Sequence, residues 1–325
     1  MHILPFTRKY QRRKMPLRAS RIIALFLSLL IICYILNAVF RKPARSWYPV
    51  LYKKETREVF VREWNGVPAK VAILLGLTSR GQKKTLSLTN TKFFKHCLPG
   101  IVRTAGYDAH NFVVYIAIDR DDEYWNTAKS LAKIRDFDAP KNIRFNPVVV
   151  SGGTFVKAIN EVAKIAYRDG MQYFLRINAD SELLTPRWAT MGIRALQRMK
   201  HRNVGVIGLL SYNDRPDIFT HDMTSRAHLE IFNENYYPPV FSNWFIDDWI
   251  SEIYGKNASV RLHNFHILHH EEDDSKERHY VPDTASEVYL RPQIKEAKLR
   301  IKRWVQRHGN FILACALVLE KLKYI

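Results

Sequence analysis

The chain has 325 residues and a formal net charge of +20 at pH 7, with 51 Lys and Arg against 31 Asp and Glu. The charge lies at the ends: residues 1–45 contain ten Lys or Arg and no acid, and residues 291–325 contain nine against two acids, which together account for +17. Because the middle of the chain is close to neutral, the composition argues against nucleic acid as a partner. It favours contact of the basic ends with anionic membrane lipids.

The first predicted element is a transmembrane helix over residues 22–40. These nineteen residues contain no charged side chain, and this length crosses a hydrocarbon core of roughly 30 Å. Seven Lys or Arg precede the helix and only three follow it closely, so the positive-inside rule keeps residues 1–21 in the cytosol. A cleaved signal peptide is the alternative, but residues 37–40 lack a clear small-residue cleavage site. The sequence predicts a single-pass type II membrane protein of the Golgi or endoplasmic reticulum with a lumenal domain.

Residues 41–69 contain three prolines and are predicted to form a stem. In residues 70–290, apolar runs alternate with amphipathic helices, which predicts an α/β domain with a mostly parallel central sheet. Residues 291–325 are predicted to form a basic amphipathic helical tail that lies on the membrane or on the domain. The predicted strands are 70–78, 111–119, 143–150, 173–177 and 204–212, and the predicted helices are 93–105, 124–134, 154–170 and 188–199.

Two features concern the exported part of the chain. Cys97 and Cys315 are available to pair, although the sequence alone leaves the pairing open. Asn257-Ala258-Ser259 is an N-glycosylation sequon, which is consistent with a lumenal glycoprotein.

Polar residues directly after apolar strands are the first candidates for a ligand site, because ligands of parallel sheets collect at the carboxyl ends of the strands. Asn178, Asp180 and Glu182 follow the strand that ends at Ile177. A carboxylate there can hold Mn²⁺ or Mg²⁺ against a diphosphate. The alternative is that Asn178 and Asp180 only shape the turn at the strand end.

The segment GGTFVKAINEVAKIAYRDGMQYFLRINADSELLTPRW, residues 152–188, resembles the central segment of glycosyltransferases with the GT-A nucleotide-sugar-binding fold. In that fold a Gly-led helix carrying an Asn precedes a strand that ends in a DxD-type motif. Residues 228–255 are similar to the acceptor-side segment of a eukaryotic, family 2-like type II membrane group of these enzymes. The resemblance covers roughly residues 71–280.

The resemblance implies a metal-dependent glycosyltransferase, in which Asn160 is the Asn of the Gly-led helix and Asn178 opens the DxD-type motif. The motif is degenerate, because Ala179 stands where the group usually has an Asp. Asp180 then carries the metal contact, with Glu182 as a possible second ligand.

Histidines late in the domain provide a further metal prediction. The resemblance implies that His269 or His270 completes the metal shell. The run His263, His266, His269 and His270 also invites a zinc interpretation, but no cysteine accompanies it and the stretch is predicted as strand and loop. A polar loop without any ligand role is the remaining alternative.

The strand ends nearer the N-terminus are predicted to bind the nucleotide. Asp119 and Asp121 follow the second strand, where the resemblance implies a carboxylate that accepts hydrogen bonds from the base or ribose. Thr78 and Arg80 close the first strand, and Arg80 is suited to pair with a phosphate. The alternative is an ordinary solvated acidic loop.

The third candidate place is Trp244 to Trp249, which contains Asp247 and Asp248. Inverting sugar transfer needs a base near the acceptor hydroxyl, and we predict Asp248 as that base with Asp247 as its neighbour. The tryptophans would offer a platform for a sugar face. In the alternative, both tryptophans pack in the core and the acids cap a helix that starts at Ile250. A retaining mechanism would remove the base assignment.

The resemblance thus implies a hexosyltransferase that uses a UDP- or GDP-sugar and a glycan, glycoprotein or glycolipid acceptor. A nucleotidyltransferase is disfavoured, because residues 70–84 contain only two glycines where such enzymes have a Gly-rich basic loop. A membrane-tethered binding protein on a degenerate GT-A scaffold is the alternative outside enzymology, and Ala179 is the reason to consider it.

Overall fold

The computed structural model describes residues 66–80, 87–212, 215–270 and 283–322, with side chains as far as residue 308. The predicted transmembrane helix at residues 22–40 and almost all of the predicted stem lie outside these ranges. Within the part of the chain that the structure describes, no helix combines the length and hydrophobicity needed to span a membrane.

The described residues form one sheet with helices on both faces. The strands are β1 (Lys70–Leu77), β2 (Asn111–Asp119), β3 (Ile143–Val150), β4 (Tyr173–Arg176), β5 (Ser181–Leu183), β6 (Val206–Ser211), β7 (Asp222–Ser225) and β8 (Ser259–His269). The helices are α1 (Leu98–Ala105), α2 (Ala128–Arg135), α3 (Phe155–Arg168), α4 (Trp188–Gln197), α5 (Arg226–Ile231), α6 (Ile246–Ile253) and α7 (Glu287–Leu322).

The sheet has the order β3-β2-β1-β4-β7-β6-β8-β5. Strands β3, β2, β1 and β4 are parallel neighbours, β7 runs antiparallel to β4 and β6, and β8 is parallel to β6 and antiparallel to β5. The predicted α/β class with a largely parallel sheet is therefore confirmed, and the sheet is mixed in its second half. Because β1 to β4 are parallel, their carboxyl ends meet at one edge.

Two apolar layers hold the helices against the sheet. One layer joins α1, α2 and α4 to one face, and the other joins α3, α5, α6 and α7 to the opposite face. Strand β1 is buried on both faces from Val71 to Leu75, which explains its unbroken apolar run. Helix α3 begins where the Thr154 side chain accepts a hydrogen bond from the Lys157 N–H, as expected for an N-cap.

Several predicted boundaries agree with the structure within two residues, whereas the predicted helix over residues 93–105 is divided into a π-helical turn, Phe93–Cys97, and α1. Two other differences have identifiable reasons. Strands β2 and β3 have the predicted limits. Helix α2 begins at Ala128 rather than Tyr124, because the Thr127 side chain accepts from the Ser130 N–H and caps the helix there. Helix α6 begins at Ile246, so the alternative of a helix starting at Ile250 is wrong.

The basic tail lies on the domain through its apolar face. Helix α7 begins at Glu287, and Leu290, Ile294 and Ala297 are buried in the same apolar layer as α3 and α6. Arg291 also forms an ion pair with Glu252 of α6 at 2.8 Å. Contact of the opposite, basic face with lipid remains a prediction.

Candidate active site

The predicted nucleotide end brings together the ends of β1, β2 and β3. The Arg80 guanidinium, which follows β1, lies 3.3 Å from the carboxylate of Asp119 at the end of β2. It also lies 3.5 Å from the carbonyl oxygen of Gly153, which follows β3. Burial raises the pKa of Asp119, the charge of Arg80 opposes this, and nearby Asp121 adds to it. An exposed arginine paired with a buried carboxylate is therefore available at this edge.

Two acids in the loop after β2 make different contacts. Asp122 is structural, because its carboxylate accepts hydrogen bonds from the N–H groups of Ser79 at 2.7 Å and Trp125 at 2.9 Å. Asp121 instead faces the loop after β3. A Cβ at Gly152, where φ is +79°, would lie 3.3 Å from the Asp121 Oδ1. Glycine thus permits both the left-handed backbone and the close approach of that loop.

Two further residues that are predicted to bind the nucleotide make hydrogen bonds with backbone groups of the protein. The Thr78 hydroxyl accepts from the Arg80 N–H at 3.3 Å, which helps to set the turn after β1. The buried amide of Asn160 accepts from the N–H groups of Tyr236 and Tyr237 and donates to the Tyr237 carbonyl, each at 2.9 Å. Asn160 therefore fixes the loop that leads to α6, and a direct contact with a donor stays a prediction.

The predicted metal residues Asp180 and His269 lie side by side. Strand β5 pairs with the end of β8, and this pairing brings the His269 Nε2 to 3.1 Å from the Asp180 Oδ1. The Asn178 Nδ2 lies 3.5 Å from the same imidazole nitrogen. The pair offers one carboxylate oxygen and one imidazole nitrogen, and the nitrogen suits a transition ion such as Mn²⁺ better than Mg²⁺. Such a pair leaves further coordination positions for a diphosphate.

Glu182 belongs to a different group of side chains. Its carboxylate accepts hydrogen bonds from Arg103 and from His270, both at 2.8 Å, and the His96 ring lies beside it at 3.8 Å. Burial alone would raise the pKa of Glu182, but the hydrogen bonds from His270 and Arg103 and the charge of Arg103 lower it to about 2. The structure therefore gives Glu182 partners other than the Asp180–His269 pair.

A buried arginine, Arg176, which the sequence analysis missed, connects the end of β4, near the predicted metal residues, to the acids of α6. The Arg176 side chain is only 3% exposed, and its guanidinium lies 3.3 Å from the Asn178 Oδ1 and 3.4 Å from the Asp247 Oδ1. It stacks over the rings of Phe155 and Tyr237. The sequence contained a signal for this residue, because Arg176 is a charged residue inside the apolar run YFLRI. A charge in a core must have a partner, since an unpaired charge is not tolerated there.

Asp247 and Asp248 lie in the first turn of α6, where the positive end of the helix dipole favours carboxylates. The residue before α6, Phe245, has a φ of +66°, a conformation that is uncommon for a bulky side chain. Trp244 is 39% exposed, whereas Trp249 is 1% exposed. Only Trp244 can therefore present a ring face to a sugar, and Trp249 is a core residue.

Three other features are a buried cysteine near Asp180, a histidine contact on β8 and a groove beside α7. Cys97 is a buried free thiol whose pKa is raised by burial and by the charges of Asp180 and Glu182, and the side chain of Cys315 is outside the described residues. His266 contacts the Tyr212 hydroxyl at 2.9 Å. A groove of about 400 Å³ is lined by residues of α5, the turn after it and α7, and none of the predicted site residues lines it.

No protein-family model matches the chain, and no curated protein matches it. Among solved structures it is similar to S. aureus TarS, with a TM-score of 0.40 and 14% identity over 61% of this chain. The match spans 35% of TarS. The chain is also similar to a protein from Desulfovibrio desulfuricans G20 described as a "putative nucleotide-diphospho-sugar transferase", with a TM-score of 0.37 and 9% identity over 73% of this chain and 98% of that one. Neither likeness is close enough to carry an argument about function.

Proposed function

We propose that this protein is a metal-dependent glycosyltransferase that moves a sugar from a UDP- or GDP-sugar to a hydroxyl of a glycan, protein or lipid. The observation that carries the proposal is the Asp180–His269 pair, whose oxygen and nitrogen lie 3.1 Å apart at the end of β4. The Arg80–Asp119 pair occupies the same edge of the sheet. A site for a diphosphate, a nucleotide and a divalent ion is therefore supported by side chains that lie on neighbouring strands.

Each group has a chemical role in this proposal. Arg80 pairs with a donor phosphate, and Asp119 accepts hydrogen bonds from the nucleotide. A divalent ion held by Asp180 and His269 would neutralise the charge of the departing nucleoside diphosphate. Asp248 accepts the proton of the acceptor hydroxyl while the hydroxyl oxygen bonds to the anomeric carbon of the sugar. The bond from that carbon to the phosphate oxygen breaks, and its electron pair leaves with the diphosphate.

Arg176 links the two halves of this site. Because it contacts both Asn178 and Asp247, it holds the acids of α6 in register with the end of β4. Arg176 is a positioning residue in this proposal, and Asp248, which contacts the acceptor, is the catalytic base.

The direct test is donor turnover with Mn²⁺ across a panel of UDP- and GDP-sugars. We expect Asp180→Asn and His269→Gln each to lower kcat/KM by at least about 100-fold, the effect typical of removing one electrostatic stabiliser of a transition state. Asp136→Asn is the matched control, because Asp136 is an exposed acid directly after α2. If no donor is turned over by the unsubstituted protein, or if Asp180→Asn retains full activity, the catalytic proposal is rejected.

A membrane-tethered nucleotide-sugar-binding protein is the second candidate, and one observation favours it. Ala179 is partly buried and packs against the apolar layer beside α1 and α4, so this position provides no oxygen to a metal. Thermal denaturation with each donor, with and without Mn²⁺, separates the two candidates, because a ligand that binds the native state raises its apparent stability. A donor-dependent shift without turnover would favour the binding protein.

We further propose that the protein is a single-pass type II membrane protein of the Golgi or endoplasmic reticulum with its domain in the lumen. The charge-free residues 22–40 and the basic residues before them support this. Asn257 of the sequon is exposed in the turn before β8, where a glycan can be attached. A glycosidase-sensitive mass shift that disappears in Asn257→Gln is expected, and digestion of the domain by protease added to intact microsomes would contradict the topology.

A further inference from the structure

Three side chains from separate parts of the chain converge beside β5. His96 belongs to the π-helical turn Phe93–Cys97 that precedes α1, Glu182 lies in β5, and His270 follows β8 directly. The Glu182 Oε2 lies 2.8 Å from the His270 Nε2 and 3.8 Å from the His96 Nδ1. The two imidazole rings are stacked, with centroids 3.8 Å apart and planes inclined by 15°. The two nitrogens and the oxygen that these side chains can offer a metal all lie within 4.8 Å of one another.

The surrounding contacts hold this group in place. Arg103 donates to the other oxygen of Glu182, Oε1, at 2.8 Å and to the Leu183 carbonyl at 3.1 Å. The Oε2 is thereby directed toward the two rings, and the carboxylate is oriented by a hydrogen bond of the kind that supports metal ligands. The backbone N–H of His270 donates to the Asp180 carbonyl at 3.0 Å, which extends the β5–β8 pairing to the ligand itself.

We propose that His96, Glu182 and His270 form a zinc site separate from the donor-site cation at Asp180 and His269. Two imidazoles and one carboxylate are a ligand set that Zn²⁺ uses in proteins, and zinc–ligand bonds of about 2.0–2.2 Å place tetrahedral ligand atoms roughly 3.3 Å apart. The 2.8 and 3.8 Å separations lie on either side of that value. Shifts of about half an ångström would reach it, together with a rotation of the stacked rings, because a metal binds an imidazole nitrogen in the plane of the ring.

The exposure of the group leaves room for a fourth ligand. The side chains of His96, Glu182 and His270 are 23%, 15% and 16% exposed, so the group is recessed but open to water. Zinc with three protein ligands keeps an open position for water or another ligand. The Asp180–His269 pair has only two ligands and so is the weaker of the two sites in the absence of a donor. The two sites can therefore be told apart without measuring any enzymatic activity.

The test uses the full-length protein, stripped of metal and titrated with Co²⁺ without donor. We expect one equivalent of Co²⁺ to give the visible d–d absorption of a tetrahedral complex and Zn²⁺ to displace it. His96→Gln and His270→Gln should each weaken Co²⁺ binding by at least about 100-fold, because loss of even an orienting partner weakens metal affinity 10–100-fold. His263→Gln, an exposed histidine on β8, is the matched control and should bind as the unsubstituted protein does.

Two more variants make the result decisive. Asp180→Asn should retain the Co²⁺ spectrum, so this proposal survives even if the proposed transferase activity fails, and loss of the spectrum in this variant would overturn it. His270→Cys should restore binding and add a thiolate-to-Co²⁺ charge-transfer band, which a misfolded variant would not show. Absence of Co²⁺ and Zn²⁺ binding by the unsubstituted protein also overturns the proposal, as does a Co²⁺ affinity of His96→Gln and His270→Gln that equals that of the unsubstituted protein.

Discussion

The buried Arg176 offers the sharpest prediction on stability. Arg176→Met keeps most of the side-chain volume but removes the charge that lies 3.4 Å from Asp247 and that opposes the negative charge of Asp222. Asp222 is fully buried and accepts hydrogen bonds from the hydroxyls of Tyr236 at 2.5 Å and Tyr237 at 2.8 Å. Removing one partner of a buried charge pair costs about 3–5 kcal/mol. We expect Arg176→Met to lower the free energy of unfolding by that amount at neutral pH.

The pH dependence identifies the cause of the loss. Burial already raises the pKa of Asp222, and the charge of Arg176 opposes that rise. In Arg176→Met the pKa of Asp222 rises further above its unfolded value. Between those two pKa values the folded state binds more protons than the unfolded state, so the stability deficit should shrink as the pH falls toward about 4. Lost packing alone would give a deficit that does not depend on pH.

Urea denaturation, followed by tryptophan fluorescence at several pH values, measures this free energy from the midpoint when the slope is unchanged. Arg144→Met is the matched control, because Arg144 is an exposed arginine on β3 of the same sheet. It should change stability by less than about 0.5 kcal/mol. A deficit in Arg176→Met no larger than that of the control, or one that stays constant with pH, would refute the reasoning.

Three further predictions concern buried groups. Burial lowers the pKa of His228 to about 4. Because the unfolded state then binds the proton at a higher pH than the folded state, the free energy of unfolding should fall by about 3 kcal/mol as the pH drops from 6.5 to 4. His228→Gln should flatten this pH dependence in urea titrations. Gly208→Ala places a Cβ 2.1 Å from a Phe219 ring carbon, so thermal and urea unfolding should show a loss of about 1–3 kcal/mol. Asn160→Ala leaves backbone groups of residues 236–237 without their partner and should cost about 1–3 kcal/mol by urea denaturation.

Each of these has a result that would contradict it. An unchanged pH slope in His228→Gln would mean that another group titrates in that range. A wild-type midpoint for Gly208→Ala would show that the aromatic ring moves aside freely. If Asn160→Ala keeps its stability but loses donor affinity, Asn160 contacts the donor rather than positioning the 236–237 loop.

The sequence was a good guide to elements whose signal is local. The apolar run of β1, the period of α3 and its N-cap at Thr154 depend on residues only a few positions apart, and the predicted limits of β2 and β3 agree with the structure. The sequence also predicted that the polar residues after β1, β2 and β4 lie at one edge of the sheet, because these strands are parallel. The start of α6 differed because the left-handed Phe245 redirects the chain earlier than side-chain patterns indicate.

The composition and local periodicity of this chain determined its α/β class and the edge of the sheet at which its acids collect, because burial of apolar side chains at period 2 or 3.6 is decided within each segment. Only the tertiary structure decided which acids share partners. Strand β5 pairs with β8 across 88 positions of sequence, which places Glu182 with His270 and leaves Asp180 with His269. Such pairing depends on how whole elements pack, and no short window of sequence contains it.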